Sequence, residues 1–228
     1  MKSTWFITGT DTGIGKTGCT LVLIQYFKNQ GFRVAGMKPI ATGCYHQQDR
    51  LRNRDAEVIL TISGLEVPYE WVNPYAFEPP IAPHLAATQA GITIEISAIV
   101  DKYQQLCHHA DIVIIEGVGG WRVPINTKQT LTDLVLALNI PVILVVGLRL
   151  GCINHALLTA ETIQSDGCTL TGWIANAIDP QFDTLGSITT LKPRLMTPLL
   201  AQIPYLIDPE PLQFAQTWSA ITTDLTGN

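Results

Sequence analysis

With 228 residues, 46% of them hydrophobic, the chain can close one substantial core, and no Pro/Gly/Ser-rich linker or charge run divides it. A net charge of −5 with Lys and Arg scattered along the chain excludes the basic footprint of a nucleic-acid binder. The longest apolar stretch, residues 140–148, is far shorter than the ~20 residues that cross a bilayer, and no charged-then-apolar leader precedes Trp5, so neither a signal peptide nor a membrane anchor is expected. The five cysteines form no CxxC pair, which fits reduced thiols in a cytoplasm.

The first apolar run, Trp5-Phe6-Ile7, predicts a buried strand, and a helix follows from Lys16 to about Asn29, stopped by Gly31. Between them stands Thr8-Gly9-Thr10-Asp11-Thr12-Gly13-Ile14-Gly15-Lys16-Thr17-Gly18, which reads as a phosphate-binding loop. Glycines let backbone N–H groups turn inward around an anion. Lys16 can then reach the outer phosphates, the Thr17 hydroxyl can ligate Mg²⁺, and the helix start adds partial positive charge. The loop is a variant, because five residues separate Gly9 from Gly15 and Thr10 holds the usual first-glycine position.

A second strand is expected over 32–37, followed by Lys38-Pro39-Ile40-Ala41-Thr42. A cation at a buried strand end can neutralise a transferring phosphoryl group, although a strand-end lysine is also commonly just solvated. After the polar stretch 46–54, Asp55 opens an apolar helix through Leu60 and is either a metal ligand or an N-terminal cap. Residues 64–83, with five prolines, form the longest irregular segment, of a length that usually serves function. Cys107-His108-His109 lacks a second ligand cluster at zinc spacing and reads as a solvated helix end.

Strands are expected over 111–115, 141–146, 170–175 and 199–203. Glu116 ends the first of these, before Gly117-Val118-Gly119, where a carboxylate can hold Mg²⁺ directly or through water. Gly151, Cys152, Ile153 and Asn154 open a helix whose N–H groups can receive a carboxylate or phosphate, or else make a plain turn. The alternation predicts one doubly wound, mostly parallel α/β domain over residues 1–228, with helices on both faces and ligands beyond the carboxyl ends of its strands.

The phosphate loop, Lys38-Pro39 with Thr42, Asn73-Pro74-Tyr75, Glu116 to Trp121 and Gly151-Cys152-Ile153-Asn154-His155-Ala156 together resemble the dethiobiotin synthetases, over about residues 5–206. The resemblance implies a P-loop NTPase fold and an ATP- and Mg²⁺-dependent ligase. It would join 7,8-diaminononanoate and carbon dioxide through a carbamate and a carbamic-phosphoric anhydride, closing the ureido ring of dethiobiotin. It implies Lys16 and Lys38 for the phosphoryl and carbamate charges, Thr17, Asp55 and Glu116 for Mg²⁺, and Thr12 and Thr42 near the diamine. Asn176, Ala177, Pro204, Tyr205 and Leu206 resemble an adenine pocket, and Glu210 a ribose contact. It further implies a homodimer whose residues 151–154 receive the carboxylate of substrate in the partner's site.

Two other readings keep the fold. A partitioning-type ATPase switch carries a lysine five residues before the loop lysine, where this chain has Asp11. A cobyrinic-acid-type amide synthetase needs ammonia from a glutamine-hydrolysing domain or subunit.

Overall fold

The computed structural model describes residues 3–207 and 210–217. Six parallel strands form the central sheet: β1 (Ser3–Gly9), β2 (Val34–Met37), β7 (Ile112–Glu116), β8 (Val142–Leu148), β9 (Leu170–Ala177) and β10 (Leu199–Ile203). Their spatial order is β10-β9-β8-β1-β7-β2, so the chain runs from β1 to the edge strand β2, returns to place β7 beside β1, and then steps outward on the other side through β8, β9 and β10. That reversal opens a crevice beyond the carboxyl ends of β1, β7 and β8, where doubly wound sheets bind ligands.

Alternate residues of β1 supply the two faces. Trp5 and Ile7 pack with α1 (Lys16–Asn29) and α2 (Arg54–Ser63), whereas Phe6 packs with α4 (Pro83–Gln89), α5 (Ile96–His109) and α6 (Leu131–Leu138). A third cluster joins β8 and β9 to α7 (Cys152–Ser165) and α8 (Thr184–Leu195) through Trp173, Val146, Ala156 and Leu191. Helix α1 is covered on most sides, with Leu21, Val22, Leu23 and Ile24 all buried, and α9 (Pro211–Thr217) brings Phe214 against Gly18.

All six sheet strands expected from the sequence are present, with shifted ends. Residues 32, 33, 111 and 141 lie outside them, while β7, β8 and β9 run on through Glu116, Leu148 and Ala177. Elements of three and four residues fill supposedly irregular chain: β3 (Ile40–Thr42) pairs with β6 (Tyr75–Phe77), β4 (Tyr45–Gln47) with β5 (Arg50–Arg52), and α3 (Tyr69–Val72) precedes β6. The segment 64–83 is therefore partly regular, and it braces the second strand's end: Lys38 N donates to Val72 O at 2.8 Å and Asn73 Nδ2 to Lys38 O at 2.7 Å. Cys107, His108 and His109 lie at the end of α5, with the His109 ring 5.4 Å from that of Trp71. None of the five cysteines is in a disulfide. No helix among the described residues is long and apolar enough to cross a membrane.

Candidate active site

The phosphate loop turns between β1 and α1 on two left-handed glycines, Gly13 (φ 72°) and Gly15 (φ 83°). A side chain at Gly15 would meet Asn176 Nδ2 at 2.2 Å, and that same nitrogen donates to Ile14 O at 2.7 Å. Asn176 thus braces the loop from β9. On the other flank Thr10 N donates to Val145 O at 3.1 Å, and Lys16 Nζ folds back onto Asp11 O at 2.7 Å. Burial pushes the Lys16 ammonium down to about 8, against the pull of the Glu116 carboxylate.

Strand ends converge beside this loop. Lys38, just past β2, donates to Asp55 Oδ2 at 2.9 Å and to Glu116 Oε1 at 2.5 Å, and Thr17 Oγ1 donates to the same Glu116 oxygen at 2.8 Å. Burial opposes the Lys38 charge, but the carboxylates of Glu116 and Asp55 outweigh it and raise its pKa. Asp55 is not the cap of α2: Asn53 is, accepting from Ala56 N at 3.3 Å, so the Asp55 carboxylate is left to face Lys38. Glu116 is 1% exposed, and its Oε2 has no hydrogen-bond partner among the described residues.

These groups line a polar cavity of about 420 Å³ together with Thr12, Gly13, Thr42, Val118 and Gly119. A larger, mainly apolar cavity of about 610 Å³ adjoins it, sharing Gly15, Thr17 and Asp55. Leu21, Val58, Ile178 and Phe214 line it, with Asn176 and Ala177 on one side and Pro204, Tyr205 and Leu206 on another. Its volume and mixture of apolar surface with a few polar groups suit a planar base, set beside a loop that suits phosphates.

A protein-family profile described as an AAA domain matches residues 3–212. The ATP-dependent dethiobiotin synthetase BioD of Pseudomonas paraeruginosa (strain DSM 24068 / PA7) is 46% identical over 213 residues, 92% of this chain and 93% of that protein. The protein of the same name from Xanthomonas axonopodis pv. citri (strain 306) is 46% identical over 202 residues, 88% of this chain and 90% of its own length. The chain belongs to the dethiobiotin synthetase family. A crystallised ParA family ATPase from Chlorobium tepidum TLS shares the fold at a TM-score of 0.56, with 14% identity over 96% of this chain and 99% of that one.

The residues that the resemblance to dethiobiotin synthetases marks out divide into three groups. Lys16, Thr17, Lys38, Asp55 and Glu116 meet around the polar cavity, with Thr12 and Thr42 in its wall; Gly18, Asn176, Ala177 and residues 204–206 line the apolar one. Ile14 and Gly117 line neither cavity: the Ile14 side chain is buried in the first core cluster, and Gly117 packs on Phe6, where a side chain would come within 2.9 Å of the ring. Gly151, Cys152, Ile153 and Asn154 also lie outside both: Gly151 (φ 94°) caps α7 and Cys152 is buried in the third core cluster. Glu210 is exposed just before α9 and lies outside both cavities.

Sequence reasoning missed the Asn53 cap, the bracing role of Asn73 and an ion pair between Asp11 and Arg149. An Asn two residues before Asp55 was a readable capping signal. The ion pair spans 138 positions and left no local signal.

Proposed function

We propose that this protein makes dethiobiotin from 7,8-diaminononanoate, carbon dioxide and ATP. The observation that carries the reading is Lys38, fixed between Asp55 and Glu116 in a polar cavity that opens onto a base-sized apolar one at the phosphate loop. One amine of the diamine attacks carbon dioxide and loses a proton, giving a carbamate. A carbamate oxygen attacks the γ-phosphorus of ATP, ADP leaves, and the second amine then attacks the carbonyl carbon, losing a proton and expelling phosphate as the ring closes. Each step concentrates negative charge on oxygen, so the protein's work is positioning and charge stabilisation. Lys16 serves the phosphates, and Lys38 serves the carbamate and the oxygens in transfer. Thr12 and Thr42 line the diamine's side of the cavity.

The Thr17 hydroxyl, the carboxylates of Asp55 and Glu116, and the unpartnered Glu116 Oε2 form a hard oxygen set that fits Mg²⁺, which retains waters and takes few protein ligands. Bound there, Mg²⁺ supplies positive charge to the phosphate oxygens. The base sits among Leu21, Val58, Ile178 and Phe214.

The active form is a homodimer, in which residues 151–154 of one chain receive the carboxylate of the diamine bound in the other. That division of labour accounts for their place outside the cavities of their own chain. Cysteines without disulfides suit a reducing cytoplasm. Phosphate release from ATP should depend on both 7,8-diaminononanoate and bicarbonate. Release that ignores the diamine, or that requires glutamine, overturns the assignment in favour of a switch ATPase or an amide synthetase.

A further inference from the structure

Asp11 places a carboxylate within the loop that must receive a polyphosphate. Like charges in one site oppose each other, so an uncompensated carboxylate here works against nucleotide binding. Its surroundings show how the conflict is resolved. Asp11 Oδ1 accepts from Thr12 N at 2.7 Å, its carbonyl accepts from Lys16 Nζ at 2.7 Å, and Oδ2 is paired with the Arg149 guanidinium. Arg149 follows the end of β8, the strand whose Val145 carbonyl holds Thr10 N, and its own carbonyl accepts from Cys152 N at 3.0 Å as α7 begins. The guanidinium therefore comes from a backbone segment fixed at both ends.

We infer that Arg149 is a positioning residue for nucleotide binding, acting as the counter-ion of Asp11. It cancels the carboxylate's repulsion of the phosphates and holds the first turn of the loop, leaving Asp11 Oδ1 to fix Thr12. Its effect passes through Asp11 and requires no contact with the nucleotide. Both side chains are about half exposed, at 43% and 47%, so the pair adds little to folding stability and its weight falls on the ligand.

The inference rests on the nucleotide reading of the loop, and the unaltered protein tests that reading first: if it does not bind Mg-ATP, the nucleotide assignment fails whatever the variants do. Given binding, calorimetric titration with Mg-ATP of R149Q, R149K, D11N and D11N/R149Q separates the roles. R149Q exposes the carboxylate and should weaken binding about tenfold, the scale of one unscreened charge acting across several ångströms at a protein surface. R149K keeps the cation and should stay within about threefold of the unaltered protein. D11N keeps the oxygen that fixes Thr12 while removing the charge, and should bind Mg-ATP at least as tightly as the unaltered protein. D11N/R149Q should return to near-normal affinity, because there is no longer a carboxylate to neutralise. If R149Q fails to fold, the remaining variants decide: D11N binding at least as tightly as the unaltered protein, with the double variant matching D11N, supports the inference, whereas a double variant about tenfold weaker than D11N overturns it. A double variant that binds as weakly as R149Q makes Arg149 a direct phosphate ligand and overturns the inference, as does R149Q with unchanged affinity.

Discussion

Lys38 shows how a single side chain acquires its role from its neighbours. As a strand-end lysine it had a plain solvated reading, yet it is almost fully buried, its carbonyl is held by Asn73, and its ammonium bridges two carboxylates. Charge aimed at a reacting group matters more in the transition state than in the ground state. Lys38→Gln should therefore bind Mg-ATP nearly normally while kcat falls about 100-fold or more, the scale of one lost preorganised electrostatic contact. Weak ATP binding with near-normal kcat would make Lys38 a nucleotide ligand only. Residue types and spacing pointed to Lys16, Thr17, Lys38, Asp55 and Glu116 one by one. That Lys38 joins Asp55 to Glu116 was not legible, because the pairing is made by strand order and by the set of α2 against β2.

The set of α2 depends on Gly36. A side chain there would meet Ile59 Cγ2 at 2.2 Å and Ile24 Cδ1 at 2.8 Å, while Gly36 N donates to Ser63 Oγ at 2.9 Å. The absent side chain lets α2 lie close on β2, and α2 carries Asp55. Gly36→Ala should destabilise the protein by about 1–3 kcal/mol through overpacking, lowering Tm by roughly 2–4 °C for each kcal/mol at this chain length. Activity should fall as well, since a displaced α2 takes Asp55 from Lys38. Adding Ile59→Ala removes the nearer of the two clashes, the one with α2, and should restore kcat more fully than Tm, because the contact with Ile24 remains. Lost stability with full activity in Gly36→Ala would show that the helix position does not set the site. The long buried strands were legible as continuous apolar runs, but β3, β4, β5, β6 and α3 were not. At three or four residues each they have too little periodicity of their own and exist through tertiary pairing.

At the scale of the whole molecule, sequence pattern gave the doubly wound architecture and placed residues 151–154 at a helix start, while their contact with a substrate held by a second chain belongs to the proposed function. Within one chain they lie apart from both cavities, and large apolar side chains stand exposed beside them: Leu150 at 89% and Leu158 at 55% on the α7 side, and Leu185 at 72% on α8. Apolar surface of that kind suits a second copy of the chain. In the proposed isologous dimer, two equivalent sites would each draw on both chains. The test combines two inactive variants. Lys38→Gln disables the reacting cavity, and Asn154→Glu sets a carboxylate in the first turn of α7, where it repels the carboxylate of the substrate. Asn154 is the better choice than Gly151, whose φ of 94° would strain any side chain. The two variants are unfolded and refolded together so that chains exchange. In a mixed dimer one site inherits both defects and the other neither, so with random pairing about one quarter of all sites should be intact. Activity should rise from near zero to about that fraction of the unaltered protein. If mass spectrometry confirms exchange while activity stays at the level of the separate variants, each site is built from one chain and the shared-site reading fails.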